Sequence, residues 1–217
     1  MVERLMRASS QHDTILDAAE TLMSEHGFNG VSMRSICQAA GVNLGSVTYH
    51  FGTKAGLLRA IYQRHVTPMN ARRTELLREA ERLFDRAERV EAIIRAFLVP
   101  AFSSNSDDYG GGARFTRVRA ILSMEGNETA RQIIAEAFDE TSQLFVDALS
   151  RAIPDLDKDS IVWRCHFLLG GLYYTLVNGE RIDRLTEGRQ SGADHEKAID
   201  ELARSTAAGL LGSRRGA

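Results

Sequence analysis

Apolar residues recur at three- and four-residue spacing along nearly all of this 217-residue chain, and only three prolines interrupt them. That period belongs to helices with one buried face, and no stretch shows the alternation of a half-buried strand. The expected fold is therefore all-α. Cap chemistry divides the chain. Ser9 or Ser10 can cap a first helix whose stripe is Ile15, Leu16, Ala19, Leu22 and Met23. Gly27 suits the left-handed residue that ends it, and Phe28 folds back onto the core. Ser32 caps a second helix that buries Ile36, Cys37 and Ala40, and Asn43 a third with Val47 and Phe51 inward. Thr53 caps a fourth with Leu57, Leu58, Ile61 and Tyr62 inward, running to about Val66 as the connection out of the head. Together these predict a helix–turn–helix head over residues 1–66, roughly the size of a small domain.

Pro68 reads as a break into a larger helical body, residues 67–217. Helices are expected near 69–84, 90–102, 113–124, 127–153, 159–186 and 194–211. Asn127 and Asp159 are suited to cap two of them. Ser103–Gly112 (SSNSDDYGGG) has the composition of a flexible loop, and Gly212–Ala217 that of a mobile tail.

Charge is unevenly distributed. Between Glu25 and Glu75 no acid occurs, while Arg34, Lys54, Arg59, Arg64, Arg72 and Arg73 all lie there. Six of the 27 basic residues are thus in the window, leaving 21 against 29 acidic ones elsewhere. A basic head on an acidic body suits a chain that meets a polyanion at one end. Every stray carboxylate would oppose the attraction to phosphate that supplies much of the affinity for DNA.

Other classes find little support. Cys37 and Cys165 sit among apolar neighbours, which fits reduced thiols in a cytoplasmic protein. Residues 1–13 lack a signal-peptide apolar run. The most hydrophobic stretch, Phe167–Val177, is far short of the roughly 20 residues a bilayer requires. A soluble intracellular protein with no membrane partner is expected. No phosphate-binding loop, dinucleotide fingerprint, nucleophile elbow or zinc-protease motif occurs, so neither an enzyme nor a cofactor is expected. The six histidines are scattered and show no metal-ligand spacing, Asp107–Asp108 lacks the spaced acids of a calcium site, and Cys165 and His166 point apart on a helix.

The DNA-reading element is expected at Leu44–Phe51. Gly41 permits the positive φ of the turn, and Asn43 can accept the first N–H groups of the next helix. With Val47 and Phe51 inward, Leu44, Gly45, Ser46, Thr48, Tyr49 and His50 face outward to bases and phosphates. Ser32 and Lys54 lie at helix N-termini suited to phosphate, and Arg34 suits a guanine edge. Packing roles for Tyr49 and His50, and plain solvation of Lys54 and Arg59, are the competing readings.

Phe28 through Leu57 resembles the TetR family of transcriptional regulators, through G-F-x-G-V-S, S-M-R-S-I-C-Q-A-A-G-V and N-L-G-S-V-T-Y-H-F-G-T-K-A-G-L. Many members carry Tyr where Thr48 stands here, with Tyr49 one place later. The resemblance implies a homodimer on a near-palindromic double-stranded operator, an all-α ligand-binding body, and repression relieved by a small-molecule effector. It also implies dimerisation through Ile161–Val177 and Asn127–Ile153. The former is apolar nearly all round and must be covered on every side; a wholly intramolecular role is the alternative.

The W-R-C-H-F-L-L-G-G string is similar to a fatty-acid-responsive subgroup of that family, typified by PsrA. A pocket of Phe97, Phe102, Phe115, Leu122, Phe138, Trp163, Phe167 and Tyr174 would suit an extended apolar ligand such as an acyl compound. His166, Arg117 or Arg119 could meet its polar end, with core packing or surface charge as the alternative for each. An all-α ligand-binding protein that no longer reads DNA, or a regulator that activates or ignores ligand, remains the second class.

Overall fold

The computed structural model describes the backbone of residues 2–103 and 112–212 and the side chains from Gln11 onward. These described residues form ten α-helices and no strand. In order they are α1 (Val2–His26), α2 (Met33–Ala40), α3 (Leu44–Phe51), α4 (Lys54–Ala80) and α5 (Arg86–Phe102). Then come α6 (Gly112–Met124), α7 (Glu128–Ala152), α8 (Lys158–Asn178), α9 (Glu180–Leu185) and α10 (His195–Leu211). The expected loop and tail, apart from Ser103, Gly112 and Gly212, lie outside the described residues.

The chain divides into two compact units, Met1–Val66 with Val118–Ala137, and Thr67–Arg117 with Phe138–Ala217. In the first, Ile15, Leu16, Ala19 and Met23 of α1 are buried with Ile36 and Cys37 of α2. Val47 and Phe51 of α3 and Leu57, Leu58, Ile61 and Tyr62 of α4 complete the apolar set. Each of the Val, Leu, Ile, Met and Phe side chains among them contributes roughly 1.5–3 kcal/mol when taken from water. Val118, Leu122, Ala130 and Ile133 are also buried, so this unit includes a segment well beyond the helix–turn–helix sequence.

In the second unit α10 packs on α5 and α8. Val90, Ile93, Ile94 and Leu98 of α5 and Ala203 and Leu210 of α10 are buried. Arg95 of α5 donates to Asp200 of α10 at 2.6 Å. That hydrogen bond holds the Asp200 carboxyl below the usual aspartate value. Phe102, Phe115 and Phe138 are fully buried aromatic groups of this unit, with Phe115 and Phe138 stacked at a tilt, 6.4 Å apart.

Several expected boundaries are corrected. Ser9 and Ser10 lie inside α1, which already begins at Val2. Pro68 does not break the chain, because α4 runs through it. Leu58, Ile61, Tyr62, His65, Met69, Arg73 and Leu77 are buried at one continuous helical phase, while Pro68 is exposed on the far side. Continuity along that stripe offsets a proline cost of about 3 kcal/mol. The helix expected to begin near Val90 begins at Arg86, where the Asp85 side chain accepts the Glu88 N–H at 2.8 Å. The long helix expected over 159–186 is two, divided at Gly179 and capped by Asp157 rather than Asp159. The returning chain at Gly192 passes so close to Gly179 that a Cβ on Gly192 would lie 2.0 Å from the Gly179 carbonyl oxygen. Asp183 fixes that return by accepting the Gly192 N–H at 2.8 Å.

Candidate nucleic-acid interface and body cavity

Local chemistry builds the exposed reading helix. Gly27 adopts φ +69° and Gly41 φ +66°, the left-handed geometry that ends α1 and turns α2 toward α3. The Ser32 hydroxyl accepts the Ser35 N–H at 3.0 Å, and the Ser35 hydroxyl accepts the Ser32 N–H at 3.0 Å. Ser32→Ala removes the hydroxyl half of this cap and should cost about 1 kcal/mol, read as a lower urea midpoint with unchanged slope. Asn43 Oδ1 accepts the Ser46 N–H at 2.9 Å. Val47 and Phe51 then hold α3 onto the core.

That packing leaves Asn43, Leu44, Gly45, Thr48 and Tyr49 exposed, with Leu44 at 46% and Tyr49 at 86%. Ser46 and His50 are half-buried. The edge of His50 meets the Tyr49 ring at 5.2 Å, and His12 of α1 lies 5.9 Å from His50 and 4.8 Å from Phe51. The contribution of His12 has no sequence signal, since it lies 38 positions from His50 and only folding makes them neighbours.

The basic window is less bare than its sequence. Arg59 pairs with Glu136, Arg64 with Asp17 at 2.6 Å, and Arg72 with Glu75 at 2.6 Å. Arg73 is buried, stacked over Phe97 at 4.4 Å with its Nε donating to the Phe97 carbonyl. Arg34 is exposed and makes no ion pair with a described residue. Lys54 turns inward: Nζ donates to the Phe28 and Val31 carbonyls at 2.7 and 2.8 Å and lies 4.3 Å from the Phe28 ring centre. Burial lowers its pKa from the ordinary lysine value, and nearby Glu125 opposes part of that shift.

The aromatic residues expected around one ligand do not line one cavity, although Phe115 and Phe138 are in ring contact. Phe102, Phe115 and Phe138 are core; Arg119 and Leu122 are buried in the first unit. Trp163, Phe167 and Tyr174 are 60%, 64% and 52% exposed on α8. Arg117 lies by the end of α8, near the Leu176 carbonyl at 3.5 Å. A cavity of about 330 Å³ does open in the second unit, and of the expected set it takes Phe97 and His166. Its walls are Ile93, Ile94, Phe145, Val146, Leu149, Leu168 and Leu169, with Asp139, Ser142 and Cys165 as polar groups. Burial pushes the Cys165 thiol up to about 11, which disfavours its thiolate form. Among the described residues no group of three or more His, Cys, Asp or Glu could hold a metal, and no helix is long and apolar enough to cross a membrane.

A capped, outward-facing eight-residue helix on a three-helix core, followed by a larger helical unit with an apolar cavity, defines a helix–turn–helix DNA-binding regulator. The family description "Bacterial regulatory proteins, tetR family" matches residues 15–61, and "Tetracyclin repressor-like, C-terminal domain" matches residues 95–209. The chain belongs to the tetR family of bacterial transcriptional regulators. It is 40% identical over 47 residues to the HTH-type transcriptional regulator UidR of Escherichia coli, a match covering 22% of this chain and 24% of UidR. The curated relatives are thus matched over about a quarter of their length. The fatty acid degradation regulator FadR from Bacillus halodurans has a TM-score of 0.61 at 17% identity, covering 95% of this chain and 97% of FadR. AibR, solved with isovaleryl coenzyme A and operator DNA, has a TM-score of 0.58 at 18% identity, with 90% and 97% covered. At these identities the likeness is one of fold.

Proposed function

We propose that this protein is a cytoplasmic, homodimeric repressor that binds a near-palindromic operator and is released by a small, largely apolar ligand. The observation that carries this reading is α3, whose outer face is exposed and whose N-terminus is capped by Asn43. Thr48, Tyr49 and His50 supply hydroxyl and ring N–H groups for phosphates, while Gly45 and Ser46 allow close approach to base edges. Arg34, exposed on α2, supplies a guanidinium to this reading.

Dimerisation is supported by α8. Trp163, Phe167, Gly170 and Tyr174 recur at four-, three- and four-residue spacing, the period of a helix–helix seam, and all are exposed in the protomer. Leu144 of α7 is a further exposed apolar side chain, at 43%. Exposed aromatic area of this kind is what an interaction surface presents, which supports the reading.

The cavity beside Phe97 and His166 is the ligand site of this reading. Its apolar walls suit a hydrocarbon chain or ring, and its volume sits at the low end for small-molecule sites. An acyl compound, as in the PsrA-like subgroup, is the favoured class, in keeping with the isovaleryl coenzyme A held by AibR. A ligand that prefers the released state about 100-fold per site supplies about 2.7 kcal/mol of bias. Gel shifts of genomic fragments, repeated with free acids and coenzyme A thioesters of increasing chain length, test this. Release is expected with one chain-length class and is expected to fail in Leu149→Trp, which fills the cavity; a ligand effect unchanged in that variant would move the ligand site elsewhere.

A further inference from the structure

Glu125, at the corner between α6 and α7, reaches the turn between α1 and α2, some 97 residues away in sequence. Its carboxylate accepts the Phe28 N–H at 2.7 Å and the Asn29 N–H at 3.2 Å. Two residues on, the Asn127 side-chain amide donates to Asn29 Oδ1 at 2.7 Å. Gly27 leaves room for this: a Cβ there would lie 1.8 Å from Glu125 Oε1. The peptide gripped on its N–H side by Glu125 is gripped on its carbonyl side by Lys54, through the Phe28 oxygen. Lys54 also holds the Val31 carbonyl, one residue before the Ser32 cap of α2.

An ammonium has three N–H donors, and two of those on Lys54 are engaged by carbonyls. The Val31 contact sets that ammonium one residue before the Ser32 cap of α2, whose unpaired first backbone N–H groups favour an anion. We propose that Glu125 is a positioning residue for DNA binding: its hold on the Phe28 and Asn29 amides sets the carbonyl on which Lys54 hangs, and so directs the remaining Lys54 N–H to a backbone phosphate. This rests on the DNA-binding reading above. Glu125 does not touch DNA in this arrangement.

The sign of the effect separates positioning from simple charge. A carboxylate near the DNA face repels phosphate, so its removal should strengthen binding if charge alone matters. Positioning requires the opposite. The test uses the full-length dimer and a duplex recovered from a random pool, with affinity measured by fluorescence anisotropy over a salt series. Glu125→Ala should weaken binding about tenfold or more, from the loss of two charge-assisted hydrogen bonds that order the turn. Its salt slope should fall by about one unit, as in Lys54→Ala, because the same phosphate contact is lost. The double variant should bind no worse than the weaker single. Glu125→Gln, which keeps one carbonyl acceptor, should fall between, and amide exchange of residues 28 and 29 should speed up in both. If Glu125→Ala is poorly folded, Glu125→Gln and Asn127→Ala carry the test. Unchanged or tighter binding, or weaker binding with an unchanged salt slope, would overturn the proposal. A wild-type dimer that retained no duplex would instead remove the DNA-binding reading, and this inference with it.

Discussion

Phe167→Glu is expected to convert the dimer to monomers and to remove operator binding. Phe167 is 64% exposed in the protomer, so a glutamate there meets water and leaves the fold intact. In the proposed dimer the same position is covered by its symmetry mate, and two carboxylates would be buried without cations. Leaving an uncompensated charge in such a place costs several kcal/mol. A penalty of about 4 kcal/mol is already a thousandfold in the dimer dissociation constant. Operator affinity should collapse further than that of any single contact variant, because a monomer engages one half-site and loses the second as an effectively intramolecular event. Sedimentation at micromolar concentration reads the first effect, and gel shift the second. A variant that remained dimeric would place the interface away from the Trp163–Phe167–Tyr174 face.

Thr48→Glu should remove DNA binding by a different route, with dimer and stability retained. Thr48 is exposed on α3 and its side chain makes no contact that the core needs. A glutamate substitutes a like charge for a neutral hydroxyl on the surface proposed to meet phosphates. Repulsion at close range, together with the lost hydroxyl contact, should cost at least about 2.7 kcal/mol, or 100-fold, at moderate salt. The cost to the fold should stay within about 0.5 kcal/mol, since the position is solvated. Circular dichroism and a urea melt would establish that the variant is folded. Binding equal to wild type would mean that this face of α3 does not approach the duplex.

Parts of the molecule governed by neighbours in sequence were legible there. Asn43, Ser32, Gly27 and Gly41 act through backbone groups within a few residues, so their cap and turn roles follow from residue type and spacing. Pro68 misleads because a local rule met a longer one: the apolar stripe from Leu58 to Leu77 keeps its phase across the proline, and burial of the stripe outweighs one missing hydrogen bond.

Charge was legible as composition but not as surface. The window without acids is real, yet Asp17, Glu20, Glu125 and Glu136 are folded against it from outside its limits. Lys54 is therefore a brace for the turn, with a single donor to spare. The aromatic set divided for a related reason. A helix apolar nearly all round gives no phase, so sequence could not tell the buried Leu168, Leu172 and Tyr173 from the exposed Trp163, Phe167 and Tyr174.

Sequencing of duplexes retained from a random pool by the purified full-length protein tests the DNA-reading role of α3 most directly. Two similar half-sites in inverted orientation are expected, their centres one helical turn or a multiple of it apart. Enrichment should fall steeply as salt is raised from about 50 to 200 mM. A pool left without any enriched sequence at the lower salt, with the protein folded and dimeric, would contradict it.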